Sequence, residues 1–301
     1  MAHKNFRMLW NTRWFDAATL SAVSEASGYP VSCLQDPFRS RKYRSTSIAG
    51  GAFVVDFGAP RPFNTVALID HNLSATGSVR VMASNSLGGS DLWDQTYEAW
   101  PPAIGFGEGM FDEWGFGGFI PEADRVWAAP NPIRIIYLED ENEIQQSIEA
   151  RYLQIEPIDS HNPDGFFQMG NLLPVQYADF GFNFMSIRHG TIDNSEIEES
   201  LGGQDWVTRT VPIRRMVGLS FDAVHYLDKY WTLKFTVEKL GLTKPFIIDC
   251  FPSLDKPSQN YHSILYGKFQ DLPEIEQSVD MGFVSGLQVS TAEISFKEDV
   301  A

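Results

Sequence analysis

The sequence predicts a mainly β chain folded as two units, and three observations predict it. Short apolar or alternating runs recur between polar turns, most clearly at Phe53-Val-Val-Asp-Phe-Gly58, Asn64-Thr-Val-Ala-Leu-Ile-Asp-His-Asn-Leu-Ser74 and Ser78-Val-Arg-Val-Met-Ala-Ser84. Runs of this length and period are what sandwich strands require. Aromatic residues make up 13% of the chain, with 22 Phe and 8 Trp. Each buried aromatic removes roughly 150–250 Å² from water, so the load suits sandwich cores and contact surfaces. At 301 residues and 43% hydrophobic content, the chain can build two cores.

The N-terminal unit is expected to span 1–180. Asn5-Phe-Arg-Met-Leu-Trp10 and Ala17-Ala-Thr-Leu-Ser-Ala22 read as a first strand and a short second one. Pro30 and Pro37 then punctuate a loop. Strands follow at about 53–58, 65–70 and 78–84. Residues 85–130 read as a long aromatic and glycine-rich loop, because no period holds across Trp100–Phe119. Loops of this length in a compact domain are usually functional or ordered by a partner. Ile133-Arg-Ile-Ile-Tyr-Leu138 and Tyr152–Glu156 resume the strands, and Phe166–Met169 follows an Asn-Pro-Asp-Gly turn.

The second unit is expected over 183–301. Trp206–Val211, Arg214-Arg-Met-Val-Gly-Leu-Ser-Phe221, Pro245-Phe-Ile-Ile-Asp-Cys250, Ser263–Phe269, Met281–Leu287 and Val289–Phe296 read as strands. One helix, Asp222–Leu240, lies among them. Ser220 or Asp222 can cap its start and Gly241 can stop it, while Val224, Leu227 and Trp231 share an apolar stripe.

Taken in order, the three strands of 53–84, the flanking Gly28–Thr46 segment, Arg151-Tyr-Leu-Gln-Ile-Glu156 and Asn162-Pro-Asp-Gly-Phe-Phe-Gln-Met-Gly170 carry a resemblance. They resemble the discoidin-like (coagulation-factor C-type, galactose-binding-like) jelly roll in the form found in tail proteins of tailed bacteriophages. Ser200-Leu-Gly-Gly-Gln, the strand leading into Leu-Ser-Phe-Asp, the helix and Tyr266-Gly267 are similar to C-terminal parts of phage tail structural proteins. The resemblance implies a jelly-roll sandwich that binds surfaces or other subunits and does no chemistry of its own. Such folds often carry a structural calcium, so the resemblance leaves room for one, although no cofactor is expected.

Chemistry is hard to place on this chain. The six histidines show no metal or catalytic spacing, and neither a Gly-x-Ser-x-Gly elbow nor a phosphate loop occurs. No catalytic or cofactor-binding residue is expected. A carboxylate pair for sugar hydrolysis would be sought at Asp112 and Glu113. For a cation, the Ser160–Gly165 turn offers only Asn162 and Asp164, and Asn171 stands where a calcium loop places its last Glu. Cys33 and Cys250 are too few and too far apart for a disulfide framework, and reduced thiols are expected.

The formal net charge of −16 argues against nucleic acid, which needs a basic field. The local exception is Arg39-Ser-Arg-Lys-Tyr-Arg44. The start lacks an apolar signal core, and no apolar run is long enough to span a membrane. Synthesis in a host cytoplasm is therefore expected, and the resemblance implies residence in a virion tail, which needs no signal. The main expectation is a structural protein of a tail tip or baseplate, in contact with other tail proteins and copies of itself. The alternative is a carbohydrate-binding module that recognises a host-surface glycan. Contact residues for either role are Arg39, Arg41, Arg44, Trp93, Trp100, Phe111, Trp114 and Phe119.

Overall fold

The computed structural model describes residues 6–10, 13–74, 76–100, 132–138, 147–179, 184–199, 205–209, 214–221, 227–250, 252, 264–271, 275–279 and 288–298. In chain order, the first half holds β1 (Arg7–Trp10), α1 (Arg13–Asp16), β2 (Thr19–Ala22), a 3-10 turn (Val31–Gln35), β3 (Tyr43–Arg44), β4 (Phe53–Phe63), β5 (Thr65–Ile69), β6 (Ser78–Ser84), β7 (Trp93–Glu98), β8 (Ile133–Tyr137), β9 (Ile148–Ile158), β10 (Gln168–Met169) and β11 (Asn171–Val175). The second half holds β12 (Ala178–Asp179), β13 (Ser186–Ile192), β14 (Glu196–Glu199), β15 (Asp205–Arg209), β16 (Arg214–Phe221), α2 (Leu227–Leu240), β17 (Phe246–Asp249), β18 (Ile264–Phe269), β19 (Ile275–Val279) and β20 (Gln288–Glu298). The fold is mainly β.

Two sheets form a sandwich. One runs β2-β4-β9-β6-β7 and the other β11-β5-β8, and every pairing is antiparallel. Phe53, Val55, Val79, Val81, Leu153 and Ile155 from the larger sheet meet Val66, Leu68, Ile136 and Leu172 from the smaller in one core.

The smaller sheet is buried on both faces, which explains why Thr65-Val-Ala-Leu-Ile69 is apolar almost throughout rather than alternating. Val66 and Leu68 enter the sandwich core. Ala67 and Ile69, one residue out of step, face the other way and join Leu9, Ile247 and Tyr266. Those three residues belong to a third sheet, ordered β12-β1-β17-β18-β20-β16-β13 with β19 on β20. On the far face of that sheet, Phe246, Phe269 and Phe296 pack with Val237 and Leu240 of α2. The layers are thus sheet, sheet, sheet and helix.

Three expectations are corrected, and one strand is additional. The strand at 5–10 does not open the sandwich; it pairs with β17 along Arg7↔Asp249 to Trp10↔Phe246, and so ties the chain's start to its C-terminal half. The stretch 85–130 is not loop throughout, because Trp93–Glu98 pairs with β6 as an edge strand. Trp93 and Tyr97 lie against the core, while Asp94, Gln95 and Thr96 between them are exposed. The strand expected at 166–169 shrinks to Gln168–Met169, and the longer strand is Asn171–Val175. A further strand, Ser186–Ile192, was not foreseen; it lies beside β16 with an exposed, polar face.

The helix ends as expected. Gly241 takes φ +54, the left-handed turn that ends a helix at least cost to glycine, and donates its N–H to Val237 O at 2.9 Å. Residues 222–226 and the strand expected at 281–287 lie outside the described residues, as do the side chains of Val224, Leu227 and Trp231.

Candidate functional site

The three arginines of the basic segment have three different fates. Arg39 is 3% exposed, 3.9 Å from Asp70 and with its guanidinium 5.8 Å from the Tyr266 ring centre. It is a core cation between layers, and the expectation that it forms a contact surface is corrected. Arg41 is exposed and donates to Asp36 at 2.9 Å. Arg44 lies between two rings, its Cζ 4.3 Å from the centre of Tyr29 and 4.4 Å from that of Phe166.

This sandwiching is produced by strand pairing. β3 meets β10 with Arg44 opposite Gln168, and Gln168 Oε1 accepts from Arg44 Nε at 3.0 Å and Nη2 at 2.6 Å. Backbone bonds from Arg44 N to Tyr29 O and from Ala26 N to Arg44 O fix the other wall. A cation held over aromatic faces adds roughly 0.5–2 kcal/mol. Among the described residues, Arg44 Nη1 has no hydrogen-bond partner.

A second set of bonds holds the neighbouring loops. Asn72 Nδ2 donates to Asp164 Oδ2 and to Phe166 O, both at 2.9 Å, and Asn72 Oδ1 accepts from Gln168 N at 2.7 Å. Asn162 Nδ2 donates to Asn72 O at 2.9 Å, and its Oδ1 accepts from Asp164 N at 2.9 Å. Asp159 accepts from Ser74 N and Ser74 Oγ, both at 2.7 Å. The two residues considered for a cation, Asn162 and Asp164, therefore serve as staples between the 71–74 and 159–168 loops. Among the described residues, no cluster of three or more His, Cys, Asp or Glu side chains is spaced to hold a metal. Among the described residues, Oδ1 of exposed Asp164 has no protein partner.

The tryptophans divide as well. Trp93 is half-buried at the sandwich edge, its Nε1 donating to Tyr97 Oη at 3.2 Å. Trp100 is 3% exposed and donates Nε1 to Leu73 O at 2.9 Å, so it too is corrected from contact residue to core. Phe111, Trp114 and Phe119, with Asp112 and Glu113, lie outside the described residues. The sequence reading missed Tyr29, Asn72, Phe166 and Gln168. Their signal was the pair of turns Gly28-Tyr-Pro30 and Asn162-Pro-Asp-Gly-Phe-Phe167, which read only as punctuation.

Trp100 covers His71, their ring centres 5.3 Å apart. Among the described residues His71 Nδ1 has no hydrogen-bond partner, and burial lowers the His71 pKa from 6.5 to about 4. Between those values the unfolded chain takes up a proton that the folded chain refuses. Stability is therefore lost as pH falls from about 6.5 to about 4, by at most about 3 kcal/mol, and this group adds no further loss below that. His71→Phe removes the titration and is expected to shrink the difference in urea midpoint between pH 7 and pH 5. An unchanged difference would place the acid sensitivity elsewhere.

No protein-family profile and no curated protein sequence matches the chain. Solved structures do. A carbohydrate-binding module of family 32 from a Clostridium perfringens family 31 glycoside hydrolase is 13% identical, with 53% of this chain and 94% of that one covered and a TM-score of 0.33. The lectin domain of lectinolysin, solved with Lewis B antigen, is 12% identical over 56% of this chain and 99% of that one, with a TM-score of 0.36. The family 32 module of Clostridium perfringens NanJ, solved with galactose, is 15% identical over 57% and 99%, with a TM-score of 0.33. These are likenesses of fold to galactose-binding-like jelly rolls, and the sandwich itself is read from the sheets above.

Proposed function

We propose that the chain is a non-catalytic binding protein whose sandwich end takes a glycan. The observation that supports this is the Arg44 cluster. It presents an unused guanidinium donor and an unused carboxylate oxygen beside two aromatic rings, all held by backbone-anchored bonds. Sugars offer hydroxyls that both donate and accept, together with apolar C–H faces, so a donor, an acceptor and rings in one rigid cluster meet all three needs. Rigid placement also lowers the ordering cost of binding.

The test is a glycan array followed by calorimetry on the best ligand. Arg44→Ala is expected to weaken binding by about tenfold or more, the worth of one charge-assisted hydrogen bond, with a modest fall in thermal midpoint from the lost ring and Gln168 contacts and an unchanged circular dichroism spectrum. Binding that survives Arg44→Ala unchanged would reject this surface. A blank array together with assembly into rings would favour the other reading, a subunit of a phage tail in contact with copies of itself. That reading rests on the resemblance of the short motifs alone, which no protein-family profile or curated sequence matches.

A further inference from the structure

Arg44 is a half-buried cation without a counter-ion. Arg41, Arg80, Arg151 and Arg215 each reach an Asp or Glu oxygen within 2.9 Å. Arg44 pairs instead with an amide, Gln168, and has no carboxylate partner among the described residues. That is notable in a chain whose net charge is −16. The amide oxygen accepts the hydrogen bonds but returns no charge, while Tyr29 and Phe166 replace water beside the guanidinium.

The clamp also decides how a ligand can approach. The rings take the two faces of the guanidinium, and Gln168 takes the edge formed by Nε and Nη2. The other edge, Nη1 with the outer N–H of Nη2, stays open. Nη1 has no partner among the described residues and is not sealed from solvent. Two parallel N–H groups in one plane match the paired oxygens of a carboxylate or a phosphate. Asp164 decides between those two. It is exposed and tied through Asn72 to Phe166, whose ring lies on Arg44. Its charge opposes a phosphate monoester, which carries about −1.5 to −2 at neutral pH, more than the single charge of a carboxylate. Its Oδ1 can at the same time accept from a sugar hydroxyl.

Resting on the reading of this surface as a glycan site, we propose that it selects sugars that carry a carboxylate. The carboxylate lies in the plane of the Arg44 guanidinium on its open edge, and supplies the counter-ion that Gln168 does not.

The probes are matched pairs: trigalacturonate with its neutral methyl ester, and sialyllactose with lactose, measured by calorimetry on the full chain. In at least one pair the acid is expected to bind about tenfold or more tighter than its neutral partner, and that margin should shrink as salt is raised. The two pairs distinguish a uronic acid from a sialic acid as the source of the carboxylate. Gln168→Glu keeps the shape and the hydrogen bonds while it gives Arg44 a carboxylate of its own. It is expected to bring the acid-to-neutral ratio close to one, with a thermal midpoint no lower than wild type. Acid and neutral sugars that bind alike, and that Arg44→Ala weakens alike, would overturn the carboxylate preference and leave the glycan reading standing. An acid preference that survives Gln168→Glu, or tighter binding of glucose 6-phosphate than of either acid, would also overturn it. No binding of any sugar at millimolar concentration would remove both readings together.

Discussion

Gly267→Ala is expected to unfold the C-terminal sheet rather than trim its stability. Gly267 sits in β18 between Phe246 of β17 and Glu298 of β20. A Cβ built there would overlap the carbonyl oxygen of Lys297, and would lie 2.8 Å from Lys297 C and 2.9 Å from Glu298 Cα. All three obstacles are backbone, so no side chain can swing aside. Relief requires β18 and β20 to part, and the core rings Phe269 and Phe296 sit on those two strands. Phe246 packs against both, at 4.6 and 4.9 Å between ring centres, so the separation reaches the centre of this core. Overpacking alone costs about 1–3 kcal/mol, and with the core opened the loss should exceed about 4 kcal/mol. Gly218→Ala in the same sheet is the control. Its added carbon would meet only Arg188 Cβ, at 3.7 Å, an ordinary contact. Urea midpoints should separate the two variants widely. Similar midpoints would mean that β18 and β20 do not approach as closely at Gly267 as described.

What could be read in the sequence was local, and what could not was pairing. Arg214–Phe221 was legible to the residue because its apolar positions and its flanks agree. The stop at Gly241 was legible because a left-handed residue there needs glycine. By contrast, Arg7-Met-Leu-Trp10 says strand but not whose neighbour. The answer, β17, lies more than two hundred residues on, and only the three-layer stacking explains it. Trp93–Glu98 was lost among glycines and tryptophans that suggested a loop, because Asp94, Gln95 and Thr96 are all polar and exposed and break the alternation a strand would show. The Arg39–Arg44 segment shows the limit most plainly. Its residues look alike in sequence, yet one is buried between layers, one is solvated and one is clamped between rings. The deciding partner, Gln168, is 124 residues away.

Arg7→Leu is expected to cost about 3–5 kcal/mol, and removing its partner as well should restore most of the loss. Arg7 is 4% exposed and faces Asp249, 1% exposed, directly across the β1–β17 ladder. Its guanidinium stacks on Tyr137 and Tyr177, 4.2 and 3.9 Å from their centres, and Tyr137 donates its hydroxyl to Asp249 Oδ2 at 2.7 Å. Burial beside the Asp249 carboxylate pushes the Tyr137 hydroxyl well above its ordinary pKa, so it stays a donor throughout the physiological range. The node joins β8 of the sandwich to β1 and β17 of the third sheet, so it links the two halves of the chain. Removing the cation alone leaves a buried carboxylate supported only by hydrogen bonds, and that orphaned charge, rather than the lost attraction, sets the size of the effect. Asp249→Asn alone should be milder, because an amide can keep the Tyr137 bond while the arginine retains its two rings. In Arg7→Leu with Asp249→Asn neither charge of this facing pair remains and Tyr137 keeps an acceptor, so most of the single-variant loss should be recovered. A double-mutant cycle on urea midpoints measures the coupling, expected at about 2–3 kcal/mol for a buried cation and carboxylate that face each other across a ladder. Additive losses across the cycle would show that Arg7 acts through its aromatic stack and not through Asp249.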